Sequence, residues 1–113
     1  MLPASLSELD LLILALIHED PCHGYLLVHR LREQCSQSAV YRCLRRLRQE
    51  KLIDDQVINQ GKMPSRHNFT LSPSGRQVVN LQSSWSDQLQ DRLTRAGRQY
   101  RKLNLLLSFR PGA

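Results

Sequence analysis

The sequence of 113 residues lacks the features that would place it in a membrane or an oxidising compartment. Its longest apolar run, Leu11 to Ile17, is far shorter than the roughly 20 residues that a transmembrane helix needs. No basic segment or small-residue cleavage site precedes that run, so we expect no signal peptide. The three cysteines are an odd number, at spacings typical of neither a zinc site nor a disulfide framework. We therefore expect a reducing, cytoplasmic location and no membrane partner.

Catalytic patterns are also missing. The sequence contains no recognisable nucleophile and base, no glycine-rich loop for phosphates and no paired carboxylates in a plausible cleft, so we expect neither an enzyme nor a cofactor. Cys22, His18, His23 and His29 invite a metal hypothesis. No further thiol or carboxylate completes a ligand set at a recognised spacing, so no metal site is predicted.

The charge balance is strongly basic. The formal net charge of +6 and the isoelectric point near 9.8 favour a nucleic acid or an acidic surface as partner. With 41% apolar residues, a chain of this size supports one modest core. Oligomerisation is a common way to stabilise such a small core.

The most informative stretch is the basic segment of residues 37–52. At about 100° per residue it predicts an amphipathic helix whose narrow apolar stripe contains Val40, Leu44, Leu47 and the stem of Lys51. The opposite face is rich in arginine, and Glu50 is the only acid in the stretch, so the alternating charges of a solvated helix are missing. Because arginine's planar fork binds phosphates and the acceptor edge of guanine, we predict a DNA-recognition helix.

Two further helices are predicted before the basic segment. The tetrapeptide 5–8 has the form of a capping box, and the apolar spacing behind it predicts a buried helix over residues 6–19. A second helix is predicted over residues 24–34, followed by a polar turn in which Ser36 or Ser38 caps the basic helix. Three short helices, the third of them basic, match the plan of a helix-turn-helix.

A β-hairpin is predicted after the basic helix. Residues 52–58 and 66–71 favour strands, and the glycine and proline in residues 59–65 predict the loop between them. This hairpin is either the wing of a winged helix or a surface hairpin whose basic residues only keep it soluble. Those basic residues are Lys62, Arg66 and His67.

The last part of the chain predicts a long helix with an apolar seam. Ser72 and Pro73 form a helix start, and the helix either continues to about Leu107 or breaks near Ser83. Apolar side chains then recur in steps of three and four, at Trp85, Leu89, Leu93, Ala96, Tyr100, Leu103 and Leu107. We predict that this seam packs against the same helix of a second copy and also against the first helix. The predicted division is a DNA-binding domain over residues 1–80 and a dimerisation helix over residues 81–113.

Four segments form a recognisable series in chain order: the apolar run 11–16, Pro-Cys-His-Gly-Tyr at 21–25, the basic segment 40–47 with Leu52 and Ile53, and Phe-Thr-Leu-Ser-Pro-Ser-Gly-Arg at 69–76. Together these segments resemble the signature of PadR-type transcriptional regulators. The resemblance implies a mainly α-helical fold with a small β-hairpin, namely a winged helix-turn-helix followed by a long C-terminal dimerisation helix. It also implies a homodimeric repressor that binds a pseudo-palindromic operator in double-stranded DNA and is released by a small aromatic effector.

The predicted DNA contacts lie on the basic helix and on the hairpin. We expect Arg42 and Arg45 to contact bases or phosphates, while Arg46 and Arg48 bind phosphates. Tyr41 is either a phosphate donor or a half-buried packing residue. The resemblance implies that Arg66 approaches the minor groove or the phosphates. The complete predicted set is Gln37, Ser38, Tyr41, Arg42, Arg45, Arg46, Arg48, Lys62, Arg66 and His67.

Three questions stay open on the sequence. Trp85 is either an interface anchor or, as the resemblance implies, a ring that stacks on an aromatic ligand. Cys35 and Cys43 flank the basic helix, so they are either inert thiols or redox-sensitive ones. The turn before the basic helix is shorter than is usual in PadR-type proteins, which leaves open a winged helix that docks a protein instead of DNA. The small size and high charge leave open a nonspecific DNA-binding accessory protein.

Overall fold

The computed structural model describes residues 6–19, 22–60, 63–81 and 84–108, with the backbone alone for residues 22, 58–60, 63–66 and 98–108. Its helices are α1 (Glu8–Glu19), α2 (Gly24–Leu31), α3 (Gln37–Gln49), α4 (Pro73–Asn80) and α5 (Asp87–Ser108). Its strands are β1 (Cys22–His23), β2 (Ile53–Gln60) and β3 (Met63–Leu71), which form an antiparallel sheet in the order β1-β3-β2. The predicted mainly α-helical winged helix-turn-helix is confirmed. None of the helices in the described ranges is long and apolar enough to cross a membrane.

Helix α1 forms the centre of the core. Every residue from Asp10 to Ile17 is buried, because α3, α4, α5 and β3 all pack around this helix. Its capping box lies two residues later than predicted. The Ser7 Oγ accepts the Asp10 N–H at 3.2 Å, and the Asp10 carboxylate accepts the Ser7 N–H at 2.9 Å. Ser5, which was expected to form the cap, lies outside the described residues.

Helix α3 is shorter than the predicted basic segment. Ser36, one of the two alternatives, is its N-cap, and its Oγ accepts the Ala39 N–H at 3.2 Å. The helix ends at Gln49 because Lys51 adopts a left-handed conformation with φ of 60°. The Leu52 N–H then reaches back to the Leu47 carbonyl at 2.9 Å, which is the bond pattern of a Schellman motif. Lys51 therefore lies beyond the helix rather than on its apolar stripe.

The hairpin strands are longer than predicted. Most of residues 59–65, expected to be a loop, are strand, and only residues 61–62 separate β2 from β3. A register shift between Ile58 and Gln60 marks an irregularity near the tip. Pro64 is tolerated in β3 because β1 pairs only with Asn68 and Phe69, which leaves the far edge of β3 open at the proline.

Residues 72–75 attach α4 to the base of the hairpin. The Ser72 Oγ accepts the Gly75 N–H at 3.2 Å and donates to the Lys51 carbonyl at 2.7 Å. A Cβ atom on Gly75 would lie only 2.1 Å from the Leu52 carbonyl oxygen, so no other residue fits there without a backbone shift. The Ser-Pro-Ser-Gly sequence thus holds the chain just after α3, at the point where the hairpin begins.

Helices α4 and α5 are separate, which selects the broken alternative. The first four residues of the predicted seam are buried within a single chain: Trp85 lies just before α5, and the first half of α5 packs against α1 and α2. They are Trp85, Leu89, Leu93 and Ala96. The predicted packing of the seam against the first helix is thus present over this part, and α2 covers the seam as well. The side chains of Tyr100, Leu103 and Leu107 lie outside the described residues.

Polar contacts reinforce this docking of α5. The Arg92 Nε donates to the Gln34 side-chain oxygen at 3.0 Å, and the Gln34 Nε2 donates to the Arg92 carbonyl at 2.9 Å. The Arg92 Nη1 also donates to Glu8 at 2.8 Å. One arginine therefore connects α5 to the start of α1 and to the turn that precedes α3.

Candidate nucleic-acid interface

Helix α3 presents its polar face to solvent, as the sequence predicted. Val40, Leu44 and Leu47 are buried, and Cys43 joins them in the core. The side chains at the start of the helix and along its outer face are exposed. They are Gln37, Ser38, Tyr41, Arg42, Arg45 and Arg48, while Arg46 is half-buried.

The arginines of α3 divide into two kinds. Within the part of the chain that the structure describes, no hydrogen bond or ion pair involves the side chain of Arg42 or Arg45. The Arg46 Nη1, in contrast, lies 3.6 Å from the Asp10 carboxylate, and the Arg48 Nη1 lies 2.8 Å from Asp55. Only the first two guanidinium groups are therefore free of internal carboxylates.

Asp10 is a carboxylate in the core, with none of its surface exposed. One of its oxygens accepts the Ser7 N–H and lies beside Arg46, and the other has no hydrogen-bond partner among the described residues. A buried charge is costly unless it is paired. Arg46 thus compensates a core carboxylate, a role that its position on the polar side of α3 did not reveal.

Arg48 belongs to a cluster with Asp55 of β2 and His67 of β3. The His67 Nδ1 lies 2.7 and 2.8 Å from the two Asp55 oxygens, and Arg48 donates to one of them. Two predicted DNA-binding residues thus share one carboxylate. Asp55 itself was not predicted as a site residue.

A groove of about 550 Å³ separates the start of α2 from α3 and the sheet. Aromatic rings and arginines dominate its walls. The lining residues are His23, Gly24, Tyr25, Tyr41, Leu44, Arg45, Arg48, Asp55, His67 and Phe69. The groove therefore combines stacking surfaces with the positive charge that a phosphate backbone requires.

Gly24 allows α2 and α3 to approach each other beside this groove. A Cβ atom at Gly24 would lie 2.9 Å from the Tyr41 ring. Tyr41 nonetheless remains 42% exposed, so its ring packs on one side and faces solvent on the other. Both roles considered for Tyr41, packing and phosphate contact, fit this position.

Sequence reasoning missed His23 and Tyr25 as parts of this surface. Tyr25 is 63% exposed; its ring lies parallel to that of His23 at 6.2 Å and edge-on to that of His29 at 4.5 Å. The His23 Nδ1 also caps α2 by accepting the Leu26 N–H. The sequence signal for this surface was the His-Gly-Tyr motif. A glycine at the start of a helix allows a second element to approach closely, and the two rings flank that glycine.

The remaining hairpin residues are only partly described. Lys62 lies outside the described residues. Arg66 is described by its backbone, which pairs with Ile58 of β2. The predicted roles of both residues remain predictions.

The thiols of Cys35 and Cys43 do not have the properties of a redox switch. Burial raises the pKa of the Cys35 thiol, and the nearby Arg92 only partly opposes this effect. Burial and the neighbouring Asp10 raise the pKa of Cys43 to about 12. A reactive cysteine needs an accessible thiolate, so both observations favour inert thiols. Among the described residues, no group of three His, Cys, Asp or Glu side chains is placed to hold a metal ion.

A helix-turn-helix whose basic third helix stands beside a β-hairpin defines a winged-helix protein. The sequence profile described as "Transcriptional regulator PadR-like family" matches residues 13–81. This match spans more than half of the chain, so the protein belongs to the PadR-like family of transcriptional regulators, and the resemblance seen in the sequence is confirmed. No curated protein sequence matches this chain significantly.

Solved structures share the fold. A Streptococcus transcriptional regulator is 26% identical with a TM-score of 0.61, over 74% of this chain and 86% of that one. Bacillus subtilis PadR in complex with operator DNA is 24% identical with a TM-score of 0.59, over 72% of this chain but 49% of that one. The Staphylococcus aureus MepR–DNA complex is 25% identical with a TM-score of 0.53, over 91% of this chain and 78% of that one.

Proposed function

We propose that this protein is a cytoplasmic, homodimeric transcriptional repressor that binds a pseudo-palindromic DNA operator through α3. The observation that carries the proposal is the pair of exposed arginines, Arg42 and Arg45, on α3. The other two arginines of α3, Arg46 and Arg48, are paired with carboxylates, but Arg42 and Arg45 are available to a guanine edge or a phosphate. The B. subtilis PadR and MepR structures, which contain DNA, support a DNA-bound state for this fold.

The surface around α3 fits the backbone contacts that orient such a protein. Gln37 and Ser38 stand at the exposed start of the helix, where recognition helices contact base edges. Tyr41 lines the groove and offers a hydroxyl to a phosphate. Arg46 and Arg48 carry internal partners, so we assign them the weaker, sequence-independent share of DNA contacts.

Dimerisation is proposed to use the part of α5 after residue 97. Earlier seam residues are committed to the single chain's core, but Tyr100, Leu103 and Leu107 continue the same spacing. A dimer would place two copies of α3 about 34 Å apart, one turn of B-DNA, and so account for a two-fold symmetric operator.

A small aromatic effector is proposed to release the DNA through Trp85. The indole is buried at the start of α5, and its N–H has no hydrogen-bond partner among the described residues. Stacking on a ligand therefore requires the ring to leave the core. Because Trp85 is the only tryptophan, its fluorescence reports this movement directly. An emission spectrum unchanged by planar aromatic compounds that release the DNA would exclude this role.

The test begins with selection of duplexes from a random library by the full-length protein. Fluorescence anisotropy then compares the selected duplex with a scrambled one across a salt series. We expect much tighter binding of the selected duplex, loss of that preference in Arg42→Ala, and little change in the control Arg95→Ala, which removes the same charge from α5. Sedimentation of the complex should give two chains per duplex.

Two other outcomes would replace the proposal. Equal affinities with a steep salt dependence would identify a nonspecific DNA-binding accessory protein, since phosphate contacts alone produce that pattern. No binding to either duplex at low salt would favour a winged helix that docks a protein partner.

A further inference from the structure

We propose that Asp55 is a positioning residue for DNA recognition, which sets the orientation of α3 relative to the hairpin. Its carboxylate holds Arg48 of α3 and His67 of β3 in one cluster, called here the Asp55 cluster. The inference rests on the proposed function, because it joins α3, which is proposed to contact DNA, to the hairpin, whose basic residues are predicted to do so.

The geometry of the Asp55 cluster is compact. Arg48 Nη1 donates to Asp55 Oδ2 at 2.8 Å, and His67 Nδ1 lies 2.7 Å from Oδ1 and 2.8 Å from Oδ2. The Asp55 side chain is only 12% exposed, whereas Arg48 and His67 are 56% and 55% exposed. The acid is thus enclosed beneath two polar side chains that face solvent.

The chemistry leaves both partners able to contact DNA. An ionised carboxylate only accepts hydrogen bonds, so His67 must carry a proton on Nδ1. Its Nε2 makes no hydrogen bond among the described residues, and the side chain is 55% exposed. Arg48 uses one of its five N–H donors on Asp55 and keeps the others for a phosphate. Asp55 therefore restricts where these side chains point without removing them from the DNA-facing surface.

The position of the Asp55 cluster explains why it would fix the angle between α3 and the hairpin. The chain leaves α3 through Lys51 and Leu52, and Ser72 and Gly75 hold this base of the hairpin. Asp55 lies further along β2, and His67 lies across the hairpin on β3. A second attachment point beyond the base limits rotation of the hairpin against α3.

Asp54 provides a matched control on the same strand. Successive residues of a strand point to opposite faces, so Asp54 points away from the Asp55 cluster. It is exposed, and within the described ranges its carboxylate makes no hydrogen bond or ion pair. Asp54→Asn and Asp55→Asn remove the same charge from nearly the same place.

The two variants should differ in sign. Simple electrostatics predicts that loss of an acid near DNA strengthens binding to every duplex. We expect this of Asp54→Asn. Asp55→Asn should instead weaken binding of the selected duplex by about tenfold while leaving binding of the scrambled duplex unchanged or tighter, because orientation is lost. Its effect should not add to that of Arg48→Ala, since Asp55 acts through that residue.

A measurement without DNA tests the cluster itself. The ¹⁵N spectrum of the His67 ring distinguishes its two neutral tautomers. The wild-type protein and Asp54→Asn should carry the proton on Nδ1, and Asp55→Asn should shift towards Nε2. Thermal unfolding of each variant establishes that the proteins compared are folded.

Two results would overturn the proposal: equal effects of the two variants on both duplexes, or a His67 tautomer that does not depend on Asp55. A wild-type protein that binds all duplexes equally removes the proposed function, and the positioning role with it. The tautomer measurement still shows in that case whether the Asp55 cluster forms, so the two failures are distinguishable.

Discussion

Helices α3 and α5 are both basic and amphipathic, and both pack apolar residues into the core of the single chain. The stripe of α3 packs into the core, as expected, and leaves an arginine-rich face outside. The seam of α5 was expected to meet both a second copy and α1, and its first half packs against α1 and α2 of the same chain. Periodicity indicates that a face is buried and leaves open which surface covers it.

The largest effects are expected from a charged substitution in each half of the α5 seam. Leu93→Glu should unfold the chain, because an unpaired carboxylate in the core costs about 3 kcal/mol or more. Leu103→Glu, in the half of the seam that is proposed to form the dimer, should leave a folded monomer. Urea unfolding and sedimentation measure the two effects. A Leu93→Glu protein that is folded and monomeric would show that the whole seam is intermolecular.

A second test separates the two kinds of arginine on α3. Arg46→Ala should lower the free energy of unfolding by about 1–2 kcal/mol, because it leaves the Asp10 charge uncompensated. The value is below that of a fully buried pair because Arg46 is partly exposed. Arg42→Ala should leave stability within about 0.5 kcal/mol of wild type while abolishing operator preference. Equal stabilities in urea would show that Arg46 does not compensate Asp10.

The pH dependence of stability tests the burial of the Cys43 thiol. The pKa of Cys43 rises from its ordinary 9.0 to about 12, so the unfolded chain releases this proton first as the pH increases. The stabilising contribution is complete below pH 9 and is lost towards pH 12. It should decrease by about 1 kcal/mol between pH 9 and 10.

Cys43→Ala is the control, because it lacks this proton and should show a correspondingly shallower loss over the same interval. Cys35 should also react faster with an alkylating reagent at pH 8, since Arg92 opposes the effect of burial there. Faster labelling of Cys43 would contradict its assignment to the core.

The smallest effect is expected at the contact between α2 and α3. Gly24→Ala places a methyl group against the Tyr41 ring, which can move because it is half exposed. We expect a loss of stability below about 1 kcal/mol and a severalfold loss of operator affinity. Tyr41→Phe, which keeps the ring and removes the hydroxyl, separates packing from phosphate contact. Unchanged binding in both variants would exclude this edge of the groove from the interface.

Local sequence patterns predicted much of the fold of this protein. The basic helix, its buried stripe, the cap at Ser36, the helix start at Ser72 and the hairpin all follow from residues close in the chain. The capping box, the end of α3 and the ends of the hairpin strands lie a few residues from their predicted positions. Several serines can cap a helix start, and a single residue in a left-handed conformation, here Lys51, can end a helix.

The partners of the charged side chains required the fold. Arg42, Arg45, Arg46 and Arg48 look alike in the sequence, and their different roles come from Asp10 and Asp55, which other elements bring to α3. The same holds for the first half of the α5 seam, whose apolar spacing is satisfied by any apolar surface and whose actual cover is α1 and α2. Short-range periodicity specifies which side chains leave water, because it depends on backbone geometry alone. Which groups they then meet depends on how distant segments pack, and that information is carried by the whole chain.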